Sequence, residues 1–395
     1  MLDKSTARLA ALVYFVQGAL GITAIALPLY LQDLGLSISQ IAYLGSLSAF
    51  PWFLKIIYGA LSDSLPIFGL RRKPYLIISS VLSMCGWLAL AMKPSGFGLL
   101  LAILTLVNVG FAATDVITDG LIVEKSNKET VGKYQSLAWG FRSAGAVLSG
   151  ILGGILAQRL PYNFVFAIAT LLPFATMIFA LFIHEDKLPP KEGLIWEPIW
   201  RSLKLIVEPQ RLIFCLVLII GAFSASFSTP YFFYLKEQLK FSEETIGLLA
   251  SLSWTGTIIG AYIFGKFLTR FSLIKVILAG VVINAVNTVA CLWVFNVTSA
   301  AIIFSLSGIF AYITFLPLLS ASAKLSHGTG VEGCLFAVLM SVHNFGTILS
   351  GIAGGALYQV VGLNLLIIGT GFFGLLAIPF ILKLKSLAEP SPNLK

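Results

Sequence analysis

Twelve long apolar runs follow one another along this chain, and they constrain its fold more than any other feature. They lie near residues 8–31, 38–61, 75–92, 98–123, 133–158, 164–183, 211–235, 243–268, 273–295, 300–322, 331–358 and 364–384. Each is roughly 20 residues long, which is enough for a helix to cross about 30 Å of hydrocarbon. Charged residues make up 11% of the chain, whereas a soluble domain carries about 25%. The sequence therefore predicts an all-α membrane protein with twelve transmembrane helices.

Lysine and arginine residues are concentrated in alternate loops between these runs. If both termini are cytoplasmic, 20 basic residues lie on that side, 4 lie on the opposite side, and Lys55 and Arg142 lie inside the runs. This bias predicts a multi-pass plasma (inner) membrane protein with both termini cytoplasmic. Because no cleavable leader precedes the first run, a bacterial plasma membrane is favoured, and an organellar envelope stays open. The bias also accounts for the net charge of +9, so we expect no nucleic-acid partner.

A polar linker at residues 184–210 divides the chain into a predicted N-terminal six-helix half, 1–183, and a C-terminal six-helix half, 211–395. The two halves resemble each other, since the fifth and eleventh runs align at a constant offset of 201 residues. The aligned pairs are Gly132/Gly333, Gly145/Gly346, Ser149/Ser350, Gly150/Gly351, Gly153/Gly354 and Gly154/Gly355. Repeated six-helix halves are typical of the major facilitator fold, and we predict that fold here.

The loop after the second run contains Gly59 and Asp63, followed by Gly69, Arg71 and Arg72. This pattern resembles the loop signature of the major facilitator superfamily, with a longer gap between Asp63 and Gly69. At a helix end Asp63 can pair with Arg71 or Arg72, so we predict a conformational latch made of these residues and Gly59. The alternative is that the cations only set the topology.

Three segments narrow the family. They are PWFLKIIYGALSDSLPIFGLRRKPY (Pro51 to Tyr75), ATDVITDGLIVEKS (Ala113 to Ser126) and GVEGCLFAVLMSVHNFG (Gly330 to Gly346). Together they resemble the folate–biopterin transporter family. The resemblance implies a secondary active transporter that imports folates or pterins by alternating access, driven by protons. Muropeptide permeases share a looser version of these features, so a permease of the same superfamily for muropeptides or other organic solutes stays open.

No enzyme motif occurs in the chain, and without a Walker loop ATP hydrolysis is not expected. We expect no enzyme activity, no cofactor and no metal site. The expected partners are a folate or pterin substrate, protons and the lipid bilayer, and the expected state is a monomer. A receptor or scaffold without transport activity is a third class. Charges inside the apolar runs disfavour it, because each costs about 2.5–3.5 kcal/mol and is retained where it has a function.

Lys55, Asp115 and Arg142 lie at similar depth in the N-terminal half, and we predict that they bind substrate together with Gln17 of the first run. Asp115 and Asp119 are one helical turn apart on one face, so their charges repel unless a cation intervenes. They are the predicted proton-coupling pair, and either aspartate could carry the proton. The alternative is a closed structural ion network of the lysine, Asp115 and the arginine that never contacts substrate.

The C-terminal half has no acidic residue or arginine at mid-depth and offers uncharged groups instead. His343, which aligns with Arg142 in the repeat, is followed by Asn344, and Tyr231 and Tyr234 lie in an aromatic run. A pterin ring needs stacking surfaces and hydrogen-bond partners, so we predict that these four residues contact substrate. The alternative for the two tyrosines is an aromatic belt at the membrane interface.

Overall fold

Helices form the whole architecture of the described chain. The computed structural model describes residues 3–125, 130–185, 187 and 196–384, and these contain helices and no β-strand. The helices are α1 (Lys4–Ala19), α2 (Ala26–Asp33), α3 (Ile38–Ser48), α4 (Lys55–Ser64), α5 (Lys73–Ala91), α6 (Phe97–Lys125), α7 (Val131–Arg159), α8 (Tyr162–Ala169), α9 (Leu171–Leu181), α10 (Glu197–Ile206), α11 (Pro209–Ala222), α12 (Ser228–Phe233), α13 (Glu243–Phe267), α14 (Leu273–Ala290), α15 (Val297–Ser326), α16 (Glu332–Leu375) and α17 (Ile378–Ile381).

Eleven segments of the described chain are helical, long and apolar enough to cross a membrane. The last of them, Glu332–Ile381, has 50 residues, which at the usual helical rise would be about 75 Å long. It is broken at Gly362, where φ is 73° and ψ is 178°. Glycine adopts a positive φ readily because it has no Cβ. The segment therefore consists of two spans that meet at Gly362, and the predicted twelve-helix membrane fold is confirmed.

The described chain divides into two compact units. Unit 1 contains the described parts of Met1–Ser37, Leu47–Ile195 and Phe241–Ser251, and unit 2 contains those of Ile38–Ser46, Trp196–Lys240 and Leu252–Lys395. Unit 1 therefore includes one short segment that follows the linker, Phe241–Ser251, and unit 2 includes one that precedes it, Ile38–Ser46. The bounds predicted for the two halves and the linker stay a prediction, and residues 186 and 188–195 of that linker lie outside the described residues.

Helix α7 holds unit 1 together through glycines that let other helices approach its backbone. A Cβ at Gly145 would lie 2.2 Å from the carbonyl oxygen of Phe15 on α1. Further along α7, a Cβ at Gly150 would lie 2.3 Å from Ser251 Oγ, and one at Gly154 would lie 2.6 Å from the carbonyl oxygen of Glu243 at the start of α13. No side chain fits in these spaces. Helices α1 and α13 therefore pack on α7 backbone against backbone, as small residues allow in membranes.

Helix α16 does the same for unit 2. A Cβ at Gly346 would lie 2.9 Å from the Cα of Ile219 on α11, and one at Gly351 would lie 2.0 Å from Ser46 Oγ on α3. Gly346 and Gly351 are the residues that align with Gly145 and Gly150 at the offset of 201. The glycine repeat in the sequence therefore corresponds to two copies of one packing arrangement.

Gly18 on α1 provides a test of this packing. A Cβ there would lie 2.0 Å from the carbonyl oxygen of Arg142, whereas a Cβ at Gly140 would have nothing within 4 Å. We expect Gly18→Ala to lower the free energy of unfolding by about 1–3 kcal/mol because α1 and α7 must move apart. Gly140→Ala should be neutral or stabilising by up to about 1 kcal/mol, because alanine favours the helix. Thermal unfolding of both purified variants measures the difference, and equal melting temperatures would contradict the prediction.

Candidate functional site

Asp115 lies in the middle of α6, and both of its carboxylate oxygens have partners. The ammonium of Lys55, in the first turn of α4, lies 2.8 Å from Oδ2, and the side chains of this pair are 17% and 5% exposed. The side-chain amide of Gln17 on α1 donates to Oδ1 at 2.8 Å. A charge at this depth is retained when a close opposite charge and further hydrogen bonds satisfy it. The structure thus brings together three of the residues predicted from the sequence.

Asp119 lies one turn after Asp115 and has a different kind of partner. The hydroxyl of Tyr14 on α1 donates to its Oδ1 at 2.5 Å, and within the described ranges no cation lies at ion-pair distance from it. One aspartate is therefore neutralised by a lysine, and the other is held by a neutral hydroxyl. Tyr14 was not among the residues predicted for this site. The signal that points to it is its spacing of three residues from Gln17, which places both side chains on one face of α1.

Arg142 does not join the Lys55–Asp115 pair, although the sequence places all three at one depth. Its guanidinium lies over the ring of Trp139, 5.0 Å from the ring centroid, and it forms no ion pair with a carboxylate of the described chain. The two residues are three apart on α7 and therefore neighbours on its surface. Trp139 also lies 6.4 Å, centroid to centroid, from Tyr14. A cation stacked on an indole is stabilised by the ring, yet keeps its hydrogen-bond donors for an anion.

The ring of Trp52 lies next to the ammonium group of Lys55. The ammonium lies 5.8 Å from the ring centroid of Trp52, whose indole N–H donates to the side-chain oxygen of Asn108 at 2.8 Å. Asn108 in turn donates to the carbonyl of Leu104 one helical turn earlier on α6. This chain of hydrogen bonds fixes the indole next to the lysine. The site in unit 1 therefore combines two cations, two carboxylates and two indole rings.

The predicted latch forms an ion network at the opposite end of α4. Arg72, with 4% of its side chain exposed, lies 2.5 Å from carboxylate oxygens of both Asp63 and Glu124. Its guanidinium also donates to Ser62 Oγ at 2.8 Å. A Cβ at Gly120 would lie 2.8 Å from the guanidinium carbon. Arg72 therefore fills a slot between α4 and α6 that a larger residue at position 120 would close. The sequence predicts that Asp63 pairs with Arg71 or Arg72; the structure shows Arg72 in that pair, together with Glu124, which was not predicted.

The residues between Asp63 and Gly69 make a tight reverse turn. Phe68 and Gly69 have φ of 54° and 80°, and Ile67 and Leu70 exchange two backbone hydrogen bonds of 3.0 Å each. Two successive residues with positive φ are typical of two-residue hairpin turns. The longer gap of this loop signature is therefore an ordered hairpin that returns the chain to the start of α5.

Glu185 and Lys73 connect the start of α5 to the end of α9 at the same end of unit 1. Glu185, which follows α9, caps α5, and Lys73, in the first turn of α5, caps α9. The Glu185 carboxylate accepts backbone N–H groups from Arg71, Arg72 and Lys73 at 2.7–2.8 Å, where α5 begins. The Lys73 ammonium donates to the carbonyl of Leu181, the last residue of α9, at 2.6 Å. An acid at a helix start and a base at a helix end both satisfy free backbone groups. The helix ends at the latch are therefore fixed. Gly59, the glycine of the predicted latch, lies on α4 and faces α6, since a Cβ there would lie 3.3 Å from Val116 Cγ2.

The predicted substrate residues of unit 2 differ in their surroundings. Tyr231 and Tyr234 stack on each other, and their hydroxyls donate to the carbonyls of Cys291 and Val294 at 3.0 Å each. These bonds hold α12 to the end of α14, so the geometry favours a structural role for both tyrosines. His343 is half-buried and lies edge-on to a phenylalanine, 5.3 Å between ring centroids. The substrate roles of these residues and of half-buried Asn344 stay predictions.

The sequence is similar to known proteins over most of its length. Residues 17–387 match the sequence model of the BT1 family. The chain belongs to the BT1 family. It is 31% identical to the "Folate-biopterin transporter" of Synechocystis sp., over 93% of this chain and 79% of that protein. It is 26% identical to the "Probable folate-biopterin transporter 4" of Arabidopsis thaliana, over 90% of this chain and 89% of that protein. The family resemblance seen in the sequence is confirmed.

Solved structures establish the fold of this BT1 family member. The nucleoside transporter NupG superposes with a TM-score of 0.78 at 12% identity, covering 96% of this chain and 100% of that one. The human organic anion transporter MFSD10 superposes with a TM-score of 0.70 at 15% identity, covering 96% and 99%. The predicted major facilitator fold is confirmed. The chain is a multi-pass membrane transporter and not an enzyme.

The latch generates a prediction for Asp63→Asn. Arg72 keeps Glu124, and both acids are more than a third exposed, so we expect the rate of transport to fall by no more than about five-fold. If Asp63 belongs to a conformational latch, equilibrium binding of substrate should not change, because such a latch would shift the balance of conformations without touching the ligand. Initial uptake rates and binding isotherms measure the two effects. Glu208→Gln, which removes the exposed ion pair with Arg211, is the matched control. A loss of binding parallel to the loss of transport would place Asp63 in the substrate site instead.

Proposed function

We propose that this BT1 family member is a secondary active transporter that imports folates or pterins together with protons by alternating access. The names of its relatives support the substrate class. The concentration of basic residues in alternate loops supports a plasma membrane location with both termini cytoplasmic.

One observation carries the proton-coupled part of this proposal, namely the unlike partners of the two aspartates on α6. Asp115 is neutralised by Lys55, whereas Asp119 has the hydroxyl of Tyr14. The charged and titratable groups that act on Asp119 are Tyr14 on α1, Asp115 on its own helix, Lys55 on α4 and Arg142 on α7. Since no cation of the described residues pairs with it, binding a proton is the direct way to neutralise Asp119 inside the membrane. We therefore assign the proton to Asp119 and the anchoring role to Asp115.

The cations of unit 1 suit the acidic part of the substrate. A folate carries carboxylates on its glutamate tail, and Lys55 and Arg142 offer ammonium and guanidinium donors for them. Arginine binds a carboxylate with two parallel hydrogen bonds. Trp52 and Trp139, each packed against one of these cations, offer faces on which a flat heterocycle can stack. In unit 2, His343 and Asn344 are the groups that we propose for further contact with the ring.

Uptake of labelled folate into proteoliposomes tests the substrate class and the role of Lys55 together. The wild-type protein should take up folate, and unlabelled pterin should compete where a muropeptide does not. Lys55→Ala should lower uptake by roughly 10- to 100-fold, because a charge-assisted hydrogen bond contributes about 1.5–3 kcal/mol.

The lysine variant needs a folding control, since removal of one partner of a buried pair leaves the other charge uncompensated. Lys55→Ala combined with Asp115→Ala removes both charges and should restore the melting temperature toward that of the wild type. Uptake should stay low in this double variant. Wild-type uptake by a well-folded protein that lacks Lys55 would overturn the assignment of Lys55 to the substrate site.

Asp119→Asn tests the proton assignment. The variant should no longer accumulate folate in response to a pH gradient, because the asparagine side chain cannot release a proton. Exchange of labelled for unlabelled folate should continue, because exchange requires no net proton movement. Asp115→Asn is the matched control on the same face of α6, and it should impair both activities through the loss of the partner of Lys55. Accumulation driven by pH in the Asp119→Asn variant would show that the proton binds elsewhere.

A further inference from the structure

Three cations lie close together where α13 ends and α14 begins in unit 2. Lys266 is in the last turn of α13, Arg270 ends the short 3-10 helix Leu268–Arg270, and Lys275 is in the first turn of α14. All three are exposed. We refer to residues 262–275 as the α13–α14 corner. Its positive charge lies on a side of the protein that the arrangement of basic loops predicts to be cytoplasmic.

No acidic side chain of the described residues forms an ion pair with these cations. The sequence has no aspartate or glutamate between Glu244 and Glu332, and in the described parts of the chain none of the three forms an ion pair. Lys266 instead donates to the Tyr262 hydroxyl at 2.7 Å and lies over the rings of Tyr262 and Phe267, 5.2 and 5.5 Å from their centroids. The positive charge of the corner is therefore left without a counter-charge from the part of the chain that the structure describes.

The corresponding corner of unit 1, where α4 is followed by α5, contains acidic partners that the α13–α14 corner lacks among the described residues. There Arg72 is paired with Asp63 and Glu124. Ser46 and Ser251 pack against the aligned glycines Gly351 and Gly150 and are 205 residues apart; at that offset Asp63 corresponds to Leu268, and at the offset of 201 Glu124 corresponds to Leu325. Both corners therefore contain cations, and among the described residues acids pair with them only in unit 1. The described residues leave the cations of the α13–α14 corner available to an anion from outside the protein.

Aromatic side chains at the same corner indicate the chemistry of that counter-charge. Tyr262, Phe267 and Phe271 are 59%, 46% and 62% exposed, and they lie within one or two turns of the cations. Exposed aromatic rings beside lysine side chains are typical of the level where the hydrocarbon meets the headgroups. A free phosphate would use the cations alone, whereas a phospholipid uses the cations and the rings. We propose that the α13–α14 corner binds the headgroup of an anionic phospholipid, with the aromatic rings against its acyl chains.

Native mass spectrometry of the full-length protein with phosphatidylglycerol tests this inference. Each cation near an anionic headgroup strengthens binding about five-fold, so the combined variant Lys266→Ala, Arg270→Ala, Lys275→Ala should bind this lipid roughly 100-fold more weakly. The matched control exchanges the charges conservatively, with Lys266→Arg, Arg270→Lys and Lys275→Arg together. This control should bind phosphatidylglycerol within a few-fold of wild type, and phosphatidylcholine should bind both variants and the wild type alike.

Two outcomes would overturn the proposal. Retention of phosphatidylglycerol by the alanine variant at wild-type affinity would place the lipid at another surface. Displacement of phosphatidylglycerol by inorganic phosphate at similar concentration would identify a free-anion site and exclude a role for the rings. A thermal melt of each variant in phosphatidylcholine shows that the substitutions leave the fold intact, and folate uptake in the same bilayers shows whether lipid binding affects transport.

Discussion

Close approach of helix backbones at glycines is the constraint on which the rest of this structure depends. Helices in a bilayer gain little from hydrophobic burial against each other, so packing has to come from contact at short range. Helices α7 and α16 supply that contact at matching positions. Gly145 and Gly346 face one neighbour, and Gly150 and Gly351 face another, each with no room for a Cβ. The two units are thus built around equivalent helices.

The same contact sets the geometry of the charged site. The crossing of α1 and α7 at Gly18 brings the α1 backbone against the carbonyl of Arg142, so Tyr14 and Gln17, on one face of α1, reach the aspartates of α6. The partner of each carboxylate is therefore decided by how closely the helices pack. A charge that is paired in this arrangement can stay inside the membrane, and Asp119, which has no cation partner among the described residues, is the aspartate to which we assign the proton.

The sequence predicts the number of spans and the repeat well, because hydropathy and small residues each leave a period in the chain. It also predicts Lys55 with Asp115, since charges in apolar runs are rare enough to be noticed. The partners that it misses have ordinary residue types for a membrane helix. Tyr14 and Trp139 look like packing residues until the rotation of their helices is known, and Arg142 was placed by depth alone, without its direction. Glu124 lies at the end of a helix, where an acidic residue is common and does not indicate a particular partner. Depth can be estimated from one chain, whereas helix rotation depends on contacts between distant segments.

The exchange of short segments between the two units has a consequence for how the protein is made. Unit 1 includes Phe241–Ser251, which lies beyond the linker and beyond the whole of α11 and α12. During translation the first six spans therefore enter the bilayer while one face of α7, at Gly150 and Gly154, still lacks its partner. At Gly150 and Gly154 the backbone of α7 is not covered by another helix until the start of α13 has been synthesised. The packing of α7 in unit 1 can therefore be completed only after the start of α13 has been made.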